Sequence, residues 1–123
     1  MQQKAVQGKR ILIVEDDPSA RESIALLLKI DRHIVSEAAN GSEALDLVSR
    51  ETFDLVVLDF AMPGMLGGEV ATRIKQMVPT MPILLVTAYL EKLTASDKPV
   101  DLILGKPFAV DELRQAVAKL LSR

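Results

Sequence analysis

Apolar runs separated by short polar segments recur along the chain and predict five strands. The runs "RILIVE", "FDLVVLDF" and "MPILLVTAY" are apolar on both faces, and "HIVSEA" and "VDLILGKPF" contain two further strands. Four other segments place apolar side chains at helical spacing. Strands of continuous apolar character that alternate with helices are typical of a parallel sheet covered on both faces. The pattern therefore predicts an α/β fold with a doubly wound, five-stranded parallel sheet.

Four amphipathic helices are predicted, and the first has the clearest start. Asp17 can cap its amino terminus, and Pro18 suits the first helical position. The second helix follows a turn at "NG", the third follows the loop "MPGMLGG", and the last spans "AVDELRQAVAKLLSR". The side chains expected to face the core are Ile24, Leu27 and Leu28, then Ala44, Leu45 and Val48, then Val70, Ile74 and Met77, and finally Val110, Leu113, Val117, Leu120 and Leu121.

Length and composition narrow the class of protein. The 123 residues suggest one domain, with residues 9–123 as the folded unit and residues 1–8 as a flexible leader. The formal net charge is −2 with no basic block, which argues against direct nucleic-acid binding by this domain. The sequence has no cysteine, no secretory signal and no apolar run that could span a bilayer. We therefore expect a cytoplasmic protein that does not bind membranes.

Polar side chains follow four of the predicted strands. In an open parallel sheet, ligands bind beyond the carboxyl ends of the strands. The residues at those ends are Glu15, Asp16 and Asp17 after the first strand, Asp59 after the third, Thr87 after the fourth, and Lys106 with Pro107 after the fifth. Acids, a hydroxyl and a lysine are thus expected along one edge of the sheet.

Such a cluster of acids needs a countercharge. Two carboxylates about 4 Å apart repel by about 4 kcal/mol at the effective dielectric of a partly shielded site. Lys106 supplies one positive charge, and a divalent cation supplies two. Mg²⁺ suits an acidic site whose ligands are all oxygen atoms. A carboxylate beside Mg²⁺, a lysine and a hydroxyl has the parts of a phosphoryl acceptor.

Five segments in order carry a resemblance to a known family. They are "ILIVEDD", "NGSEAL", "DLVVLDFAMPGM", "PILLVTAY" and "GKPF". Together they resemble the receiver domain of two-component response regulators of the chemotaxis-regulator-like type, over essentially residues 9–123. The resemblance implies a flavodoxin-like sheet with strand order 2-1-3-4-5.

The resemblance also implies a role for each matching position. Asp59 corresponds to the phosphorylated aspartate, Thr87 to the hydroxyl that turns toward the phosphoryl group, and Lys106 to the lysine that binds a phosphoryl oxygen. The implied Mg²⁺ ligands are Asp59, Asp16 directly, Glu15 through water, and the backbone carbonyl of Ala61. Pro107 corresponds to a proline that often follows a cis bond. Asp17 is interpreted as a helix cap and not as a metal ligand.

The implied function is signalling. The domain would accept a phosphoryl group from a histidine kinase or a histidine phosphotransfer protein and change conformation to regulate a downstream target or a fused output domain. It would catalyse only its own phosphorylation and dephosphorylation, so it is not expected to be an enzyme with an external product. Homodimerisation, the kinase, the signal and the target stay open.

The sequence departs from the family pattern at three places. Ile103 occupies the position of the usual switch aromatic, and Tyr89 is the nearest aromatic residue. The segment between Thr87 and Lys106 is short and contains Pro99, so the fourth helix of the family, between strands four and five, is expected to be short or atypical. Leu66 stands where an aspartate often precedes the glycine, which should remove a helix cap.

The same residues argue against two other functions. An aspartate-nucleophile phosphatase usually needs an acid two residues after the nucleophile, where this chain has Ala61. A flavin or nucleotide carrier should offer glycines and hydroxyls after the first strand, where this chain offers three acids. The alternative that stays open is a degenerate receiver that binds partners without phosphorylation. The missing switch aromatic argues mildly for it, and the intact set of acids, threonine and lysine argues against it. His33, the single histidine, is expected to be solvated and not a phosphodonor.

Overall fold

A five-stranded parallel sheet forms the centre of the molecule. The structure, a computed structural model, describes residues 8–62, 64–88 and 100–122. The strands are β1 (Arg10–Val14), β2 (Ile34–Ala38), β3 (Leu55–Asp59), β4 (Ile83–Thr87) and β5 (Leu102–Gly105). Their order in the sheet is β2-β1-β3-β4-β5, and each neighbouring pair is parallel. The predicted fold class and strand order are therefore confirmed.

Four helices of the described residues cover the sheet. They are α1 (Pro18–Ile30), α2 (Gly41–Arg50), α3 (Gly67–Met77) and α4 (Val110–Leu121). Asp17 caps α1, since its side chain accepts a hydrogen bond from the backbone N–H of Ser19, as predicted. Asn40 caps α2 through the N–H of Glu43. Leu66 stands at the N-cap of α3 and makes no side-chain cap, which confirms the expected loss.

Two apolar layers lie on opposite faces of the sheet. Every residue of β3 and β4 is buried, and so are the apolar residues of β1 from Ile11 to Val14. Alternate side chains of these strands point to opposite faces, as the two-residue period of a strand requires. One layer packs the sheet against α2 and α3, and the other packs it against α1 and α4. Burial on both faces explains why these strands read as continuous apolar runs.

Two predicted core positions are wrong. Met77 is 43% exposed and Val110 is 48% exposed. Met77 is the last residue of α3 and Val110 is the first residue of α4. Helical spacing identifies the face of a helix that turns inward, but it does not show how far the sheet extends beneath each end.

His33 is also not solvated as expected, because it is only 7% exposed. It directly precedes β2, and its backbone N–H donates to the carbonyl of Leu28. Its imidazole Nδ1 accepts a hydrogen bond from the backbone N–H of Lys9 at 3.4 Å. The segment before β1 thus covers the ring, a contact that the local sequence around His33 does not reveal.

Some predictions concern residues outside the described ranges. The expected short fourth helix and Tyr89 belong to residues 89–99, and most of the expected leader belongs to residues 1–7. Gly8 is described, and its N–H donates to the carbonyl of Arg32. Among the described residues, no helix combines the length and apolar character needed to cross a membrane.

Candidate functional site

The acids after β1 and at the end of β3 meet at the carboxyl edge of the sheet. Val14 pairs with Leu58, so the residues that follow them, Glu15 and Asp59, lie side by side. One carboxylate oxygen from each of Glu15, Asp16 and Asp59 lies within 4.8 Å of the others. Glu15 and Asp59 are buried, with 2% and 7% of their surface exposed, whereas Asp16 is exposed. The three carboxylates form one cluster that opens to solvent on the Asp16 side.

Lys106 brings a positive charge to this cluster from the end of β5. Its Nζ lies 2.8 Å from Oε1 of Glu15 and 3.4 Å from Oδ1 of Asp59. Its backbone N–H donates to the carbonyl of Thr87, which fixes the start of the loop after β5. The Lys106–Pro107 peptide bond is cis, as the resemblance implied. One ammonium group therefore neutralises part of a charge of up to three units.

The charges of the site shift one another's proton affinities. Burial raises the pKa of Asp59 to about 6; Lys106 opposes this rise and the neighbouring Glu15 reinforces it. Burial also raises the pKa of Glu15, but hydrogen bonds from Lys106 and the N–H of Asp17 outweigh it, so the net shift is downward. Burial lowers the pKa of Lys106, but Glu15 and Asp59 outweigh it and hold the lysine charged. Asp59 thus carries the least compensated charge of the cluster.

Glu15 is held at its backbone as well as at its carboxylate. Its N–H donates to the carbonyl of Ala38 at 3.0 Å, and its Oε2 accepts from the N–H of Asp17 at 3.2 Å. Its carbonyl accepts a hydrogen bond of 2.9 Å from Nη1 of Arg21. The Nε of Arg21 donates in turn to Oε1 of Glu37 on β2 at 3.1 Å.

Arg21 and Glu37 were not among the predicted site residues. A usable signal was present, because Arg21 follows the cap residue Asp17 by four positions. One helical turn places such a side chain back over the amino end of the helix, next to the acidic loop. No comparable local signal marks Glu37, whose contact with Arg21 depends on the pairing of β2 with β1.

The loop after Asp59 depends on a glycine. The N–H of Gly67 donates to the carbonyl of Phe60 at 2.7 Å. A Cβ added at Gly67 would lie 2.8 Å from the carbonyl oxygen of Asp59 and 2.8 Å from Cα of Phe60. Both are backbone atoms that cannot turn aside, so α3 can approach the end of β3 this closely only with glycine at position 67.

Three further predicted residues, Thr87, Ala61 and Ile103, lie on or next to β3, β4 and β5. Thr87 is fully buried at the end of β4, and Ala61 is half-buried two residues after Asp59. Ile103 lies on β5 and is 41% exposed. The structure thus brings the three acids and Lys106 into contact or near contact. The roles predicted for Thr87, Ala61 and the other site residues remain predictions.

An open cleft of about 530 Å³ lies beside the exposed acid Asp16. The other residues that line it are Ala39, Asn40, Gly41, Ser42, Gly64 and Met65. They come from the loops after β2 and β3 and from the first turn of α2. Asp16 is the member of the acidic cluster that lines this cleft.

The cluster fits a hard divalent cation. Its three donor groups are carboxylates, and their oxygen atoms are close enough to share one ion. Oxygen-only ligands of this kind suit Mg²⁺, which commonly takes one or two carboxylates and keeps several waters. The open side at Asp16 leaves room for such waters.

The chain belongs to the response regulator receiver domain family, whose family model matches residues 11–118. Among curated relatives, the response regulator MprA of Mycolicibacterium vanbaalenii is 39% identical over 117 residues. MprA of Mycobacterium leprae is 38% identical over 117 residues. Each match covers 93% of this chain and 51% of the relative, so the chain spans about half the length of these curated relatives.

Solved structures show the same fold. The response regulator TrrA of Thermotoga maritima, in complex with Mg²⁺-BeF, is 39% identical with a TM-score of 0.84, covering 91% of this chain and 98% of TrrA. A structure of TrrA with the histidine kinase ThkA gives a TM-score of 0.85 and covers 92% of this chain and 98% of TrrA. A CheY-like receiver domain protein from Methanospirillum hungatei is 27% identical with a TM-score of 0.86, covering 94% and 95% of the two chains.

Proposed function

We propose that this receiver domain accepts a phosphoryl group on Asp59 in the presence of Mg²⁺ and uses the modified state to regulate a partner or output domain. One observation carries the proposal. Lys106 Nζ lies 2.8 Å from Glu15 and 3.4 Å from Asp59, within a cluster of three acids whose oxygen atoms lie within 4.8 Å. A cluster so rich in negative charge is suited to a divalent cation, which together with Lys106 would neutralise the charge of an incoming phosphoryl group.

The reaction uses the carboxylate of Asp59 as nucleophile. An Oδ atom of Asp59 forms a bond to phosphorus, and the bond between phosphorus and the donor's leaving atom breaks, so the leaving group departs with that electron pair. The ammonium group of Lys106, held near Asp59 by its bond to Glu15, is placed to turn toward a phosphoryl oxygen. The hydroxyl of Thr87, at the neighbouring strand end, is the proposed second partner of that group.

Glu15, Asp16, Asp59 and the carbonyl of Ala61 would hold the metal ion. A bound Mg²⁺ neutralises negative charge on the carboxylates and on the transferring group. The structure of TrrA in complex with Mg²⁺-BeF supports the choice of Mg²⁺ as the ion, because TrrA is 39% identical to this chain. Because the group ends on the domain's own aspartate, the chemistry is self-phosphorylation and self-dephosphorylation, and the domain is not an enzyme with an external product.

The phosphodonor proposed is a histidine kinase or a histidine phosphotransfer protein. The structure of ThkA with TrrA supports a kinase, because TrrA shares 39% of its residues with this chain. The curated relatives are about twice as long as the matched region, which supports a fused output domain or a separate downstream target. A cytoplasmic location, a possible homodimer and the lack of direct nucleic-acid or membrane binding by this domain belong to the same proposal.

The test is incubation with acetyl phosphate and Mg²⁺ followed by intact mass measurement. The wild-type chain should gain the mass of one phosphoryl group, and a chelator should abolish the gain. Asp59→Asn should show no gain, whereas the exposed helix variant Asp46→Asn should behave as wild type. A gain that persists in Asp59→Asn would contradict the assignment of the acceptor.

One observation favours the alternative of a degenerate receiver that acts without phosphorylation. Ile103, at the position where the family usually has a switch aromatic, is 41% exposed on β5. An aliphatic side chain cannot reproduce the rotation of an aromatic ring between two environments. If the wild-type chain neither bound Mg²⁺ nor gained a phosphoryl group from a kinase partner, this alternative would replace the proposal.

A further inference from the structure

Arg21 on α1 joins the acidic loop to β2 with a single guanidinium group. Its Nη1 donates to the carbonyl of Glu15 at 2.9 Å, and its Nε donates to Glu37 Oε1 at 3.1 Å. The Arg21 side chain is 19% exposed and that of Glu37 is 34% exposed. A guanidinium group presents its donors in one rigid plane, so two acceptors at these positions fix its orientation.

The bond to Glu15 is made where the chain leaves regular structure. Glu15 follows the last residue of β1, and Asp17 already caps α1. Between those elements the backbone carbonyl of Glu15 is satisfied by the side chain of Arg21. A buried carbonyl without a partner is unfavourable, so loss of the guanidinium group should let this peptide group rotate toward solvent.

Rotation of that peptide group would move two members of the acidic cluster. The peptide bond after the Glu15 carbonyl leads directly to Asp16, and both residues contribute oxygen atoms to the proposed metal site. Within the described part of the chain, Arg21 donates its side-chain hydrogen bonds to the backbone carbonyl of Glu15 and to Glu37, and not to the carboxylates of the cluster. Its effect on the cluster therefore acts through the backbone.

We infer that Arg21, anchored by Glu37, is a positioning residue that orients Glu15 and Asp16 and thereby sets the affinity of the acidic cluster for Mg²⁺. This inference rests on the proposed function. It assigns different tasks to the two cations around Glu15. Lys106 binds the carboxylate and would leave it for a phosphoryl oxygen, whereas Arg21 binds the backbone and keeps the loop in place while Lys106 moves.

The test measures Mg²⁺ affinity and phosphorylation together in the whole chain. Mg²⁺ is titrated into labelled protein and followed by amide chemical shifts, and the initial rate of phosphorylation by acetyl phosphate is measured across Mg²⁺ concentrations. The variants are Arg21→Ala, Arg21→Lys and Glu37→Gln. Arg50→Ala is the matched control, because Arg50 forms an exposed ion pair with Asp46 on α2, away from the cluster.

Arg21→Ala should weaken Mg²⁺ binding by about tenfold, the lower end of the effect of residues that orient metal ligands. The Mg²⁺ concentration for half-maximal rate should rise by the same factor, while excess Mg²⁺ restores the maximal rate. Arg21→Lys keeps the charge but not the planar fork, so it should also weaken binding. Glu37→Gln leaves Arg21 only a neutral acceptor, so it should weaken binding by less than Arg21→Ala does, whereas Arg50→Ala should stay close to wild type.

The outcomes separate this inference from the proposed function. If Arg21→Ala is folded and binds Mg²⁺ as wild type does, the inference is overturned while the proposed function stands. A lower melting temperature with unchanged Mg²⁺ affinity would also overturn it, because a merely structural contact gives that result. If Arg21→Ala does not fold, Arg21→Lys decides in the same way. A wild-type chain that does not bind Mg²⁺ would overturn the proposed function itself.

Discussion

Asp59 carries a charge that burial makes unfavourable. It is 7% exposed, and the cation that it contacts, Lys106, lies closer to Glu15 than to Asp59. Burial raises its pKa from 3.8 to about 6. A bound cation should therefore stabilise the ionised form of Asp59 more than that of an exposed carboxylate, because it replaces the solvation that the buried group has lost.

This shift predicts that Asp59→Asn stabilises the metal-free domain at pH 7. The folded state binds the Asp59 proton more tightly than the unfolded state, so its contribution to stability falls as pH rises from about 4 to about 6. After allowance for solvent screening, the variant should gain about 1–2 kcal/mol of unfolding free energy at pH 7. Urea unfolding of the wild type and the variant, with a chelator present, at pH 7 and at pH 4 measures this difference in free energy. The gain should shrink at pH 4, and a variant less stable than wild type at pH 7 would contradict the electrostatic account.

His33 predicts a pH effect at the opposite end of β1. Burial lowers its pKa, and attraction to Asp31 opposes that change only in part. The neutral ring is therefore favoured in the folded state. The stability of the domain should fall as pH drops below 6.5, the ordinary pKa of a histidine in an unfolded chain. Protonation also removes the acceptor that Nδ1 offers to the N–H of Lys9.

His33→Asn separates this effect from other acid-induced changes. Asparagine offers an acceptor oxygen near the position of Nδ1 and does not titrate, so the variant should lose less stability than wild type between pH 7 and pH 5. Thermal unfolding at both pH values measures the difference. Equal losses in the two proteins would show that His33 does not control this pH range.

At the scale of the elements, the amino end of α3 combines a missing cap with a close approach to β3. Leu66, the N-cap residue, is 54% exposed and makes no side-chain hydrogen bond to the helix. Gly67 follows it and permits the contact with the backbone of Asp59 and Phe60. A capping residue at position 66 should stabilise α3. A larger residue at position 67 should displace the loop that follows Asp59.

Leu66→Asn should stabilise the domain by about 0.5–1 kcal/mol, because asparagine can accept a hydrogen bond from a free N–H in the first turn of α3. Asparagine is preferable to aspartate here, since it adds no charge near the acidic cluster. Leu66→Ala is the matched control, as it removes the leucine without adding a cap. Chemical unfolding of the three proteins measures the gain, and equal stabilities of the asparagine and alanine variants would contradict it.

Gly67→Ala should have the opposite effect. The added Cβ would lie 2.8 Å from two backbone atoms, so either α3 or the loop after Asp59 must shift. We expect a loss of about 1–3 kcal/mol, as for other overpacked positions. Gly64→Ala has open space around its Cβ but a positive φ of 86°, so it tests backbone strain without overpacking. Changes in the amide shifts of Asp59 and Phe60 only in Gly67→Ala would locate the effect, and a stable, unperturbed variant would contradict it.

At the scale of the whole molecule, the continuous apolar strands made the sheet predictable. β1, β3 and β4 are buried on both faces, so their sequences are almost entirely apolar, and the positions of the acids Glu15, Asp16 and Asp59 follow from the ends of β1 and β3. The errors arise where contacts join distant segments. His33 accepts a hydrogen bond from the backbone of Lys9, and Arg21 donates one to Glu37 on β2. Each joins residues far apart in the sequence, so a local pattern of apolar and polar residues does not predict it. Exposure at the helix ends, as for Val110, depends on the extent of the sheet and not on helical spacing.

The residues of the acidic site lie within the part of the chain that matches the receiver family. The family match covers residues 11–118, and the acids and Lys106 that converge at one sheet edge all fall within it. Ile103, which occupies the position predicted for the switch aromatic, lies on β5 and is 41% exposed.

The most direct test of the account is the chemical identity of the modified residue. Protein incubated with acetyl phosphate and Mg²⁺ is reduced with borohydride, which converts an acyl phosphate on aspartate to homoserine, and is then digested and sequenced by mass spectrometry. We predict homoserine at position 59 and unmodified Asp16 and Glu15. Homoserine at another acid, or phosphorylated protein with an intact Asp59, would contradict it.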